Sequence, residues 1–186
     1  MTVTALDAKS ALIVIDLQKG IVSLPTVHLM DSVVQRTAAL ADAFRAHDLP
    51  VVLVNVAGGA PGRTERLRSP RELPADWAEL IAELNRQPQD HAVTKHTPGA
   101  FTNTSLEDLL KSSGVTQVVI AGIATSNGVE VTARQAYELG FNVTLATDAM
   151  TDMEEDAHAW SVTRVFPRIG ETGATQEIVD LLERTV

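Results

Sequence analysis

The feature that most constrains this chain is a repeated alternation of strand-length apolar runs with helical periodicity. Ala11-Leu-Ile-Val-Ile15 and Val51-Val-Leu-Val-Asn-Val56 are rich in β-branched residues and largely apolar on both faces, as parallel strands covered on both sides are. Between them Val33, Val34, Thr37, Ala38, Ala41 and Phe44 recur at helical spacing, which makes a β-α-β unit. A helix around Trp77 to Leu84 and a weaker strand, Ala92-Val-Thr-Lys95, are expected next. Thr104-Ser-Leu-Glu107 has a capping-box pattern and predicts a short helix carrying Leu106, Leu109 and Leu110. Gln117 to Ala121 reads as another buried strand, followed by a helix with Val129, Thr132, Ala133 and Ala136 on one face. Gly140 ends that helix as a C′ glycine before the strand Asn142-Val-Thr-Leu-Ala-Thr147. Asp152-Met-Glu-Glu155 offers a looser helix start, and a last helix carries Ile178, Leu181 and Leu182. Strands alternating with helices imply an α/β fold: three layers, α/β/α, around a mostly parallel, Rossmann-like sheet. No linker or repeat divides residues 1–186, so a single domain is expected.

Bulk properties narrow the function. Aromatic residues are 4% of the chain, too few for base-stacking platforms, and a net charge of −9 would repel a phosphate backbone, so nucleic acid is not an expected partner. No apolar run approaches the roughly 20 residues a bilayer requires, and the first residues lack a signal-peptide pattern. A cytoplasmic protein without membrane contact is expected. The absence of cysteine excludes disulfides, thiolate metal sites and a thiol nucleophile.

In open α/β sheets ligands bind beyond the carboxyl ends of the strands. Asp16 ends the first strand, Lys95 ends the third, and the Thr125–Gly128 turn follows the fourth. An acid and a base so placed are natural acid–base partners. The plainer alternative is that Asp16 caps a helix and Lys95 makes a solvated ion pair. The irregular stretch Ala57 to Ala75 carries Arg63, Arg66, Arg68 and Arg71, whose guanidinium forks suit an anionic substrate or pair with neighbouring acids. His28, His47, His91, His96 and His158 show no metal-ligand spacing, and the glycines at 58, 59 and 62 form no phosphate loop. No metal or cofactor is expected. Trp77, Trp160 and Phe101 are expected chiefly in the core.

The segment from Val118 to Gly140, containing Gly122-Ile-Ala-Thr-Ser-Asn-Gly128-Val129, resembles the strand–turn–helix signature of the isochorismatase-like (cysteine hydrolase) family. The segments Ile13-Val-Ile-Asp16-Leu-Gln18, Lys95 with Gly99-Ala-Phe-Thr-Asn-Thr104, and Val143-Thr-Leu-Ala-Thr-Asp148-Ala149 extend that resemblance over nearly the whole chain. It implies that Asp16 and Lys95 belong to an Asp-Lys-Cys triad whose third place is held here by Gly128. It also implies a cis peptide before Ala124 and an anion pocket made by the turn's N–H groups. Substrate would be lined by Gln18, Phe101, Ala124, Thr125, Ser126 and Asn127. Family nicotinamidases carry a metal cluster where this chain has Ala57-Gly-Gly-Ala-Pro, so neither that activity nor a metal is implied.

Glycine cannot form the thioester of the amidase members. The isochorismatases proper lack the cysteine and cleave a vinyl ether by protonation from the aspartic acid. The resemblance thus points to a cofactor-independent hydrolase acting on a small anionic molecule such as isochorismate, with Asp16 as general acid, and to a homodimer or homotetramer. Two alternatives stay open: a catalytically inactive binding member of the same fold, and an amidase using another nucleophile such as Ser126 or Thr125, neither of which has a histidine nearby in the motif.

Overall fold

The structure, a computed structural model, describes residues 3–65 and 73–184. Its centre is a sheet of six parallel strands in the order β3-β2-β1-β4-β5-β6. These are β1 (Ser10–Ile15), β2 (Val51–Val56), β3 (His91–Lys95), β4 (Gln117–Ile123), β5 (Asn142–Thr151) and β6 (Glu171–Gly173). The helices are α1 (Lys19–Val22), α2 (Met30–Ala46), α3 (Leu106–Ser112), α4 (Glu130–Glu138), α5 (Glu155–Trp160) and α6 (Thr175–Arg184).

The pleat sorts the apolar runs into two cores, as the sequence pattern requires. In β1, Ala11, Ile13 and Ile15 face a cluster with Leu106 and Leu110 of α3 and Ala133 and Ala136 of α4. Leu12 and Val14 face the opposite cluster with Leu40, Ala41 and Phe44 of α2 and Ile178 and Leu182 of α6. All six residues of β1 are buried, which fits the continuous apolar run from Ala11 to Ile15. Gly140 has the positive φ (87°) expected after α4, and the N–H of Phe141 returns to the carbonyl of Ala136.

Four local expectations are corrected. Residues 77–84 are not an α-helix; only Ala82–Leu84 forms a 3₁₀ turn. The reason is lateral capture. The carbonyls of Trp77, Ala78 and Glu79 accept from Gly20 N–H, Asn55 Nδ2 and Lys19 N–H, so they are not free for a helical ladder. The capping box at Thr104 also fails: helix α3 forms, but Glu107 turns to Lys111, while Thr104 Oγ1 donates to Ala100 and accepts from Leu106 N–H. Leu40, not the half-buried Ala38, completes the inner face of α2. Trp160 is 64% exposed rather than in the core. The short strand β6 carries no pattern that sequence reading could detect.

The sheet reverses its winding between β1 and β4, so their carboxyl ends open the crevice where such folds bind ligands. Gly122, paired with Ile15 across this seam, adopts φ 116°, and a Cβ there would overlap the carbonyl of Ile15. Replacing Gly122 by alanine should therefore cost about 3 kcal/mol or more of unfolding free energy in urea. A loss below about 1 kcal/mol would show that the seam tolerates a side chain.

Candidate active site

β1 ends at Ile15 and the chain turns at once. Asp16 takes a left-handed conformation (φ 54°), which costs a non-glycine residue about 1–2 kcal/mol. Its N–H is held by the carbonyl of Val54 at 2.9 Å, and its side chain lies against the turn after β4. Lys95 ends β3 and reaches past the intervening β2 to place Nζ 2.8 Å from Asp16 Oδ2. The ammonium also donates to the carbonyls of Pro98 (2.9 Å) and Thr97 (3.3 Å). All three of its donors therefore have acceptors.

The solvated ion pair is ruled out by burial: the side chains are 2% (Lys95) and 8% (Asp16) exposed. Asp16 is also no helix cap, since Gln18 occupies the cap position of α1. The pair is unequal. Lys95 is saturated, whereas Asp16 Oδ1 is buried with no hydrogen-bond partner among the described residues. Burial disfavours the carboxylate and outweighs the charge and hydrogen bond of Lys95, so the pKa of Asp16 rises from 3.8 to about 6.

The Ile123–Ala124 peptide is cis, and the next residues, Thr125–Val129, form a single π turn before α4. Gly128 is buried beside Asp16: a Cβ on it would lie 3.2 Å from Asp16 Oδ2 and 3.0 Å from Ile15 Cγ2. Thr132, in the first turn of α4, fixes this arrangement by donating to the carbonyl of Gly128 (2.6 Å) and accepting from Ala100 N–H (3.1 Å). It thereby ties the turn to the segment following Lys95.

The anion pocket expected from the turn's N–H groups is largely filled from within. Ser126 N–H donates to Asp152 Oδ2 (2.7 Å), and the N–H groups of Asn127 and Val129 return to the carbonyl of Ala124. Asp152 Oδ1 accepts from the N–H groups of Met153 and Glu154, so this residue joins the turn to the start of α5.

Other predicted residues fall into two groups. Ala124 and Thr125 are buried at the turn, and Asn127 is exposed on it. Gln18 lies close by in sequence, but its amide is taken up by backbone: Nε2 donates to Val56 and Trp77, and Oε1 accepts from Val56 N–H. Phe101 stacks on Phe141 (centroids 6.1 Å apart), the residue that precedes β5. Arg63 is exposed; Arg66, Arg68 and Arg71 lie outside the described residues.

One constellation was invisible in the sequence. Thr125 Oγ1 shares a 2.9 Å hydrogen bond with His158 Nδ1, so a histidine from outside the motif stands beside this hydroxyl. His158 meets the edge of His28 at 4.6 Å, and His28 Nδ1 lies 3.1 Å from Thr151 Oγ1. Burial, with the neighbouring His28, lowers the pKa of His158 and so favours the neutral imidazole. These residues come from four separate segments, and only the fold unites them.

The raised pKa of Asp16 has a sign for stability. The folded chain holds this proton to about pH 6, whereas the unfolded chain releases it near 3.8, so its stabilisation is present below pH 3.8 and lost as pH rises through 6. Between acidic and neutral pH, native protein should lose about 3 kcal/mol more unfolding free energy than Asp16→Asn. Parallel pH dependences of the two proteins would contradict the assignment.

Residues 10–177 match the isochorismatase domain. YwoC of Bacillus subtilis, an uncharacterized isochorismatase-family protein, is 40% identical over 179 residues, covering 92% of this chain and 93% of its own length. The structure of an isochorismatase-family protein from Burkholderia thailandensis superposes with a TM-score of 0.92 at 41% identity, covering 96% of this chain and 98% of that one. A streptothricin hydrolase of Streptomyces noursei is 37% identical over 141 residues, covering 75% of this chain and 48% of its own length. With a buried Asp-Lys pair beside a cysteine-free turn at the switch point of its sheet, this chain belongs to the isochorismatase family, whose members are hydrolases.

Proposed function

We propose that this protein is a cofactor-independent hydrolase that cleaves a vinyl ether such as isochorismate, with Asp16 as general acid and no covalent intermediate. The observation that carries this reading is the bare, buried Oδ1 of Asp16 on a carboxyl group whose pKa is raised to about 6. An acid near that value is both present in its protonated form and able to give its proton up close to neutral pH.

The chemistry follows from the inequality of the pair. Oδ2 accepts from Lys95, so the proton of the acid form sits on Oδ1. Transfer of that proton to the terminal methylene carbon uses the electron pair of the double bond and leaves an oxocarbenium ion. Water adds to the cationic carbon and returns a proton to Asp16. The resulting hemiketal breaks its bond to the ether oxygen, which leaves as an alcohol, and pyruvate is released. The consumed water balances the reaction and the acid is regenerated. Lys95 stabilises the carboxylate that exists between the two proton transfers.

Packing at Gly128 supports a route without a side-chain nucleophile. Its neighbours have closed to the width of glycine, so the place held by a sulfur in the amidase members is narrowed by Ile15 and Asp16 themselves. Thr125 has His158 within hydrogen-bond reach, but its hydroxyl is on a fully buried residue, which keeps it from an attacking role. The family match supports hydrolysis; the names within it range from isochorismatase to streptothricin hydrolase, so the vinyl-ether substrate rests on the site.

Incubation with isochorismate should release pyruvate, detected by coupling to lactate dehydrogenase. Asp16→Asn should slow release by about 100-fold or more while keeping the native circular dichroism spectrum. Absence of pyruvate from the native protein would remove isochorismate as substrate, and full activity of the variant would remove Asp16 as the acid. Gly128→Ala should cost about 1–3 kcal/mol of stability through overpacking, read from urea unfolding; an unchanged midpoint would show that the pocket has room.

A further inference from the structure

His158 of α5, bonded to Thr125, meets His28 in the loop between α1 and α2. That loop is fastened where it passes the end of β5. Val27 N–H donates to the carbonyl of Asp152 (2.9 Å), and His28 N–H donates to Thr151 Oγ1 (3.2 Å). Both imidazoles are thus held by residues at the carboxyl ends of β4 and β5, the end of the sheet where ligands bind. His28 is exposed and His158 half-buried, so a solute can reach them.

The two threonines fix how these rings carry their protons. Thr125 and Thr151 are fully buried, and among the described residues the hydrogen of each hydroxyl has one acceptor, the Nδ1 of its histidine. Nδ1 accepts in both rings, which leaves the ring proton on Nε2. Neither Nε2 has a hydrogen-bond partner among the described residues. Ring centroids 4.6 Å apart keep the two Nε2 atoms within about 7 Å of one another at any ring rotation. One carboxylate bridges that span with two ordinary N–H···O bonds. Fastening the turn calls only for the Nδ1 of His158; the ring of His28 bonds to Thr151 rather than to the turn.

Other donors near Asp16 are already engaged. Lys95 has three acceptors, and the N–H groups of Ser126, Asn127 and Val129 are consumed within the fold. The acid beside His158, Asp152, gives both its oxygens to the N–H groups of Ser126, Met153 and Glu154. Thr125 and Gly128 belong to one turn, where residues three apart lie about 5–6 Å from each other, and Gly128 abuts Asp16. The imidazole of His158 therefore stands within roughly 10 Å of Asp16, a distance that a small ring-bearing carboxylic acid spans.

We infer that the paired Nε2–H groups of His28 and His158 form a carboxylate subsite, which holds the substrate while Asp16 protonates it. This rests on the hydrolase reading above and adds to it the residues that recognise the anion.

Two measurements test the subsite, one of them independent of turnover. Pyruvate, used as a carboxylate probe in the millimolar range, should shift the ¹H–¹⁵N signals of both imidazoles saturably, while equal sodium chloride should not. His28→Asn and His158→Asn keep an amide near the Nδ1 position and remove Nε2. Each should weaken pyruvate binding at least about tenfold. Each should also raise KM for isochorismate by a similar factor, with kcat changed less than about threefold. Circular dichroism checks that the variants stay folded. Imidazole signals indifferent to pyruvate, or a KM that either variant leaves unchanged, overturns the inference. If pyruvate binds at the imidazoles but isochorismate is not hydrolysed, the subsite stands and the vinyl-ether reading falls.

Discussion

The buried pair between Asp16 and Lys95 is the interaction on which the candidate site depends. Taking two charges out of water costs several kcal/mol per ion, and the attraction repays this only when the remaining donors and acceptors are met. Here the debt is settled on one side alone. Lys95 finds three oxygens, while Asp16 has one oxygen satisfied and one bare. A fold selected only for stability would replace such a pair with apolar side chains or complete it. Asp16 stands at the carboxyl end of β1, beside the seam with β4 where the sheet reverses and where ligand chemistry is normally found.

The surroundings hold this inequality in place. Gly122 lets β4 approach β1 more closely than a side chain would permit. Gly128 then brings the turn against Asp16, and Thr132 pins it to the segment that carries Lys95. On the far side Asp152 and His158 fix Ser126 and Thr125 from β5 and α5. The turn is therefore supported by hydrogen bonds on both flanks, and its own N–H groups are largely consumed in that support. This shifts the chemical weight from an oxyanion pocket toward the carboxyl group of Asp16.

How far sequence reading reached depended on whether a feature was local. Strands β1, β2 and β4 were readable because burial on both faces leaves an uninterrupted apolar run. Asp16, Lys95 and Gly128 were readable because each stands at the end of a strand or in the turn that follows one. The false helix at 77–84 had acceptable helical composition, but its carbonyls were claimed by Gly20, Lys19 and Asn55, all distant in sequence. Gln18 and Phe101 were placed at the substrate by resemblance alone; their contacts with the backbone of Val56 and with Phe141 had no local sequence signal. The His28–His158–Thr125 contacts had no sequence signal at all, since no spacing rule links a loop before α2, the turn after β4 and α5, which only the fold brings together.

The central claim is that Asp16 is a proton-holding acid at near-neutral pH, despite the ammonium beside it. Titration of its side-chain carboxyl carbon by ¹³C NMR, with Asp16→Asn used to assign the resonance, tests this directly. A midpoint near 6 is the result the structure predicts. A midpoint at or below the ordinary 3.8 would mean that Lys95 prevails over burial, that Asp16 is a permanent carboxylate, and that the acid mechanism is wrong.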